Sequence, residues 1–132
     1  MLNKVTYVTL FVADQEKAVR FYTQTLGFEK RVDNPTPDGD RFLTVGLEGQ
    51  DIQLVLWPGT PGKPKPNNGP KPGACIIQTD QCHKDFENLK ARGATFETDQ
   101  VIEQPWAFIA TLQDPDGNRI TLRENRQVPT QP

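Results

Sequence analysis

The sequence predicts an α+β fold built from two strand–helix–three-strand modules, and three observations carry that prediction. Helix signals recur at one interval: Asp80 follows Asp14 by 66 residues, and Gly93 follows Gly27 by the same 66. Each pair brackets a segment with apolar residues at helical spacing, set among strand-like runs in the same order. Between the two copies the composition breaks. Pro58 to Pro72 holds six of the 12 prolines, with three lysines and three glycines, and such a stretch suits neither a helix nor a sheet interior. The expected division is a first module over 1–57, a connector over 58–73, a second module over 74–124 and a disordered tail over 125–132.

In chain order, Val5 to Val12 is rich in β-branched and aromatic residues and reads as a strand. Asp14 stands where an N-cap is needed, Ala18, Phe21, Tyr22 and Leu26 form a helical stripe, and Gly27 ends it in a left-handed conformation. Strands are expected at Phe28 to Asp33, Arg41 to Leu47 and Asp51 to Trp57, joined by the Pro37-Asp38-Gly39 turn and by Glu48-Gly49-Gln50. After the connector, Ala74 to Thr79 is a short strand and Asp80 the expected cap. Cys82, Phe86 and Leu89 form the buried stripe of a helix stopped by Gly93. Strands follow at about Ala94 to Gln100, Ala107 to Gln113 and Asn118 to Glu124, the last two joined through Asp114-Pro115-Asp116-Gly117.

A single helix per module covers one face of its sheet, and strand alternation separates the faces. Val8, Leu10 and Val12 belong to the helix side of the first strand, leaving Tyr7, Thr9 and Phe11 opposite. Ile52, Leu54 and Leu56 leave Asp51, Gln53, Val55 and Trp57; Cys75 and Ile77 leave Ala74, Ile76 and Gln78; Ile120 and Leu122 leave Arg119, Thr121 and Arg123. A face that mixes aromatic, amide, hydroxyl and guanidinium groups suits a small-molecule cavity better than a structural layer.

Charge and composition exclude several classes. Seventeen acidic against 15 basic residues give a net charge of −2 with both signs interspersed, which argues against nucleic acid or a membrane surface as partner. No window reaches the roughly 20 apolar residues of a membrane helix. Cys75 and Cys82 are not a Cys-x-x-Cys pair and read as reduced core thiols of a cytoplasmic protein. His83, the single histidine, follows the Asp80 cap in the first turn of the second helix and reads as a surface residue. Lys63, Lys65 and Lys71 read as a solvated face of the connector.

The run Phe11-Val12-Ala13-Asp14, then Ala18 to Tyr22, then Thr25-Leu26-Gly27-Phe28, resembles the first module of the vicinal oxygen chelate superfamily. That superfamily includes glyoxalase I, bleomycin-resistance proteins and extradiol dioxygenases. The run Asp114-Pro115-Asp116-Gly117-Asn118, followed by Ile120-Thr121-Leu122, resembles the second module. The resemblance implies paired βαβββ modules in a half-open mixed-sheet barrel around a pocket, commonly in a homodimer. It places the usual metal ligands, His or Glu in metal-dependent members, at Tyr7, Gln53, Ala74 and Thr121. None of these is an imidazole or carboxylate, so no metal or other cofactor is expected.

Trp57 and Trp106 offer stacking surfaces for a flat ligand, and Arg123 offers a fork for a carboxylate or phosphate. The expected ligand-binding set is Tyr7, Thr9, Gln53, Trp57, Trp106, Thr121 and Arg123. The favoured reading is metal-independent binding of a small, planar or anionic organic molecule. The alternatives are a lyase, isomerase or dioxygenase with atypical metal ligands, and a regulatory module whose concave face binds a protein.

Overall fold

The computed structural model describes residues 1, 4–37, 39–59 and 74–126. Most of the connector, with Lys63, Lys65 and Lys71, and the tail beyond Arg126 lie outside the described residues. The chain divides into two units, Met1–Pro64 and Lys65–Pro132.

In the first unit β1 (Tyr7–Val12) leads to α1 (Gln15–Arg20), and β2 (Glu29–Pro35), β3 (Arg41–Gly46) and β4 (Gln53–Pro58) follow. Asp14 is the N-cap, its carboxylate accepting from the Lys17 N–H at 3.1 Å. The helix does not end regularly. A π-helical turn over Phe21–Thr25 follows α1, with the Leu26 N–H bonded to the Phe21 carbonyl. The buried stripe is Ala18, Val19 and Tyr22, with Phe21 and Leu26 only half-buried; the wider turn carries Leu26, which follows it, off a 3.6-residue spacing. Gly27 supplies the positive φ that turns the chain into β2. The sheet order is β1-β4-β3-β2, with β1 parallel to β4 and the other pairs antiparallel. Gln15 clamps α1 to this sheet: its amide donates to the Arg41 and Leu56 carbonyls at 2.6 and 2.9 Å.

Leu10, Val12, Leu54 and Leu56 are buried, while Tyr7 and Phe11 are exposed, as alternation requires; Ile52, expected on the helix side, is exposed because it precedes the first residue of β4. Val55 is buried too, so β4, an interior strand, is apolar on both faces at its centre.

In the second unit β5 (Cys75–Gln78), α2 (Cys82–Ala91), β6 (Thr95–Phe96), β7 (Ile102–Glu103), β8 (Ala107–Gln113) and β9 (Arg119–Asn125) follow the same order with one short strand more. The sheet runs β5-β9-β8-β6, with β7 also on β8, and β5 is parallel to β9 as β1 is to β4. Three expectations change here. The N-cap of α2 is Gln81, not Asp80, and it makes no side-chain cap bond. The Glu124 carboxylate instead accepts from the Cys82 N–H at 2.9 Å, and the Thr79 hydroxyl accepts from the Gln81 N–H while donating to Asp85. The strand expected over Ala94 to Gln100 is two residues long, and β7 pairs separately with β8. Asn125, placed in the tail from sequence, is the last residue of β9. The turn into β9 forms as expected: Asp114 Oδ1 accepts from the Asp116 and Asn118 N–H groups, and Gly117 takes a positive φ.

Each unit is a mixed sheet with one helical segment, an α+β arrangement, and neither sheet closes on itself. No described helix is long and apolar enough to cross a membrane.

Candidate functional site

The parallel and antiparallel neighbours of β9 set a row of side chains on the sheet face away from α2. Arg119, Thr121 and Arg123 alternate along the strand; Ile76 of β5 and Thr111 of β8 flank Thr121, and Ile109 of β8 flanks Arg123. Ile102 of β7 pairs with Ile109 and extends that row. Together with Glu97, Thr98 and Gln104, these residues enclose an open cavity of about 310 Å³, at the small end of the usual range for ligand pockets.

The cavity has a neutral floor and a charged rim. Thr111 and Thr121 hydroxyls lie 3.0 Å apart in the floor, and Thr121 is buried. Arg119 grips Glu97 through two bonds, Nε at 2.6 Å and Nη2 at 3.0 Å, and this pairing raises the guanidinium pKa above its ordinary value. Arg123 is half-buried, and among the described residues its side chain bonds through Nε alone, to Asn125 Oδ1 at 2.9 Å.

Of the residues singled out in the sequence, Thr121 and Arg123 line this cavity. Trp106 stands half-exposed before β8 and is not in its lining; its carbonyl accepts from the Arg126 N–H. Tyr7, Thr9, Gln53 and Trp57 belong to the first unit, where Tyr7 pairs with Gln53, Thr9 with Val55 and Phe11 with Trp57 across β1 and β4. Tyr7 packs edge-on against Phe42, with ring centroids 5.7 Å apart, and Gln53 Oε1 accepts from the Thr44 hydroxyl at 2.6 Å. Ile102, Gln104, Ile109 and Thr111 were not singled out in the sequence. Ile109 and Thr111 could have been found by alternation along the expected strand Ala107 to Gln113, whereas the only signal for Ile102 was the β-branched pair Val101-Ile102, beside a strand just two residues long.

The other candidates are not poised for chemistry. His83 is exposed, 3.4 Å from Glu103 and edge-on to Phe108. Cys75 and Cys82 are free thiols. Burial pushes both up, Cys82 to about 11 with the Glu124 and Asp85 carboxylates adding to the effect, so neither is a ready nucleophile at neutral pH.

The sequence model of the Glyoxalase/Bleomycin resistance protein/Dioxygenase superfamily matches residues 4–122. The chain belongs to this superfamily. An antibiotic binding protein from Streptomyces sp. CB03234, TnmS3, is 34% identical, with a TM-score of 0.77 over 95% of this chain and 98% of its own. A superfamily member from Sphaerobacter thermophilus is 31% identical, with a TM-score of 0.78 over 93% of this chain and 98% of its own. A probable lactoylglutathione lyase of Vibrio parahaemolyticus is 26% identical over 133 aligned residues, covering 96% of this chain and 94% of its own.

The positions at which the resemblance would place metal ligands, Tyr7 and Gln53 in the first unit and Ala74 and Thr121 in the second, do not offer donors that fit a metal. Ala74 offers a methyl group, Thr121 a hydroxyl engaged with Thr111, Gln53 an amide oxygen engaged with Thr44, and Tyr7 a phenol. Divalent cations favour carboxylate, imidazole or thiolate ligands. Among the described residues no three His, Cys, Asp or Glu side chains gather closely enough to hold an ion.

Proposed function

We propose that this superfamily member binds a small organic molecule reversibly and without a metal, and that affinity alone is its function. The observation that carries the reading is the cavity on the β5-β9-β8 face: three isoleucines and a threonine floor beneath a charged rim. An apolar body with a few placed polar groups is the usual make-up of a ligand pocket. The likeness to an antibiotic binding protein at 34% identity supports the same class of ligand. Thr121 and Arg123 are proposed as contacts in the cavity. Tyr7, Thr9, Gln53 and Trp57 on the first sheet, and Trp106 ahead of β8, are proposed as further contacts. The protein is proposed to act as a homodimer in the cytoplasm, a location in keeping with two free thiols.

The test is titration of the purified protein with planar aromatic antibiotics, followed by calorimetry and by tryptophan fluorescence. Saturable one-to-one binding, unchanged by a chelator, is expected. Binding that disappears on chelation and returns with a divalent ion would overturn metal independence. The likeness to a probable lactoylglutathione lyase favours a second reading, an enzyme of that type. Turnover of lactoylglutathione, accompanied by stoichiometric metal in the purified protein, would establish it over the first.

A further inference from the structure

We infer that the cavity of the second unit selects an organic oxyanion, a carboxylate or phosphate ester with an apolar body, and that Arg123 is the residue that selects it. This rests on the small-molecule reading above and names the class of molecule. Three charged side chains line the cavity, and they are not equivalent. Arg119 is neutralised by Glu97 in a two-bond pair. Arg123 has no carboxylate within ion-pair reach among the described residues; its one bond goes to the neutral Asn125 amide from Nε. Both terminal nitrogens of Arg123 therefore keep their N–H groups for an incoming anion, in the geometry that matches two oxygens of a carboxylate or phosphate.

The placement of Arg123 also dictates the rest of the ligand. It stands across from Ile109, which pairs in turn with Ile102, and Ile76 lies opposite Thr121, two residues along β9. Ile76 and Ile102 are 54% and 40% exposed, so apolar surface is open to solvent on both sides of the free cation. Arg119 and Arg123 are four residues apart on one strand, roughly 13 Å at the usual strand rise, so a small ligand bound at Arg123 does not compete for the Arg119–Glu97 pair. An anion with an apolar body satisfies the guanidinium and covers the isoleucines together. A neutral molecule of the same shape covers only the isoleucines.

The experiment titrates the full chain with 1-naphthoate, 1-naphthyl phosphate and the neutral 1-naphthamide, following backbone amide shifts by NMR. The anions are expected to bind about 10- to 100-fold more tightly than the amide, the range of a charge-assisted hydrogen-bonded pair, with the largest shifts at Ile109, Thr111 and Thr121. Arg123→Gln is expected to erase that preference while leaving amide binding. Arg123→Lys, which keeps the charge but loses the two-oxygen fork, is expected to retain part of the preference and guards against a folding artefact in the first variant. Naphthoate against naphthyl phosphate separates the two oxyanion sources. Equal binding of the amide and the anions, or a preference that survives Arg123→Gln, would overturn the selection by Arg123 and leave small-molecule binding standing. Failure of all three probes to shift the cavity residues would overturn both readings.

Discussion

Arg41 is held from several sides. Its guanidinium meets Asp33 at 2.9 Å through Nε and 2.7 Å through Nη2, and Glu16 at 3.1 Å through Nη1, while Gln15 bonds its backbone N–H and carbonyl. That guanidinium holds the Asp33 carboxyl at about 2 against an ordinary 3.8. Because the folded state keeps Asp33 ionised to lower pH than the unfolded chain does, the pair stabilises the fold fully above pH 3.8 and loses its effect as pH falls towards about 2. Asp33→Asn is expected to cost about 0.5–1 kcal/mol near neutral pH, the worth of a partly solvated pair, and to converge with the parent near pH 2. Urea midpoints across that range measure it, and a constant difference down to pH 2 would assign the cost to something other than charge. None of this was legible from sequence. Asp33 and Arg41 face each other only once the β2–β3 register sets Asp33 opposite Leu43 and Pro35 opposite Arg41, and register follows from the whole hairpin. The same applies to Glu97 and Arg119, 22 residues apart. Single residues whose role follows from burial alone, Cys82 among them, were legible.

At the scale of elements, local signals succeeded where the chain itself closes the bond. Asp14 caps α1 and Gly27 and Gly93 take positive φ, all decided within a few residues. Asp80 offered the same signal and was passed over, because Glu124 reaches from β9 to the first N–H of α2 and Thr79 holds the Gln81 N–H. A capping carboxylate supplied by a strand 42 residues away is invisible to a pattern of neighbours. Loss of a cap costs about 0.5–2 kcal/mol. Glu124→Ala is expected to lower stability by about 1 kcal/mol or more, whereas Asp80→Ala is expected to stay within about 0.5 kcal/mol of the parent. Equilibrium denaturation of the two variants decides between a strand-borne and a local cap. Equal losses would restore Asp80 to the capping role. The π-helical turn and the break between β6 and β7 went unread for a related reason: both depend on how the segment must meet its sheet, which periodicity does not encode.

For the molecule as a whole, the repeat was the most legible feature. The order β1-β4-β3-β2 recurs as β5-β9-β8-β6, each with one parallel pair joining its first and last strands, although few side chains are shared between the halves. Spacing of caps and stops survives where identity does not, since the backbone requires them at fixed places. The pocket was less legible, because its walls depend on β7 and on pairs made across strands. Tyr7 and Phe11 on β1, Ile76 on β5 and Ile102 on β7 are 40–54% exposed, and all lie on sheet faces opposite the helices. Scattered exposed apolar residues are ordinary, but each unit leaves them on the sheet face away from its own helix, where they suit a partner surface. A ligand of the size the cavity admits covers Ile76 and Ile102 at most. β1 and β5, moreover, end their sheets, and open sheet edges favour association with another chain. A second copy, related by a twofold axis, would cover these residues at no cost in complementary sequence. Sedimentation equilibrium is therefore expected to give twice the 14.9 kDa chain mass, and Phe11→Asp to shift the protein towards monomer while its α2 unit keeps its dispersed amide spectrum. A single-chain mass at every concentration tested would refute the dimer and leave Tyr7 and Phe11 as surface for another partner.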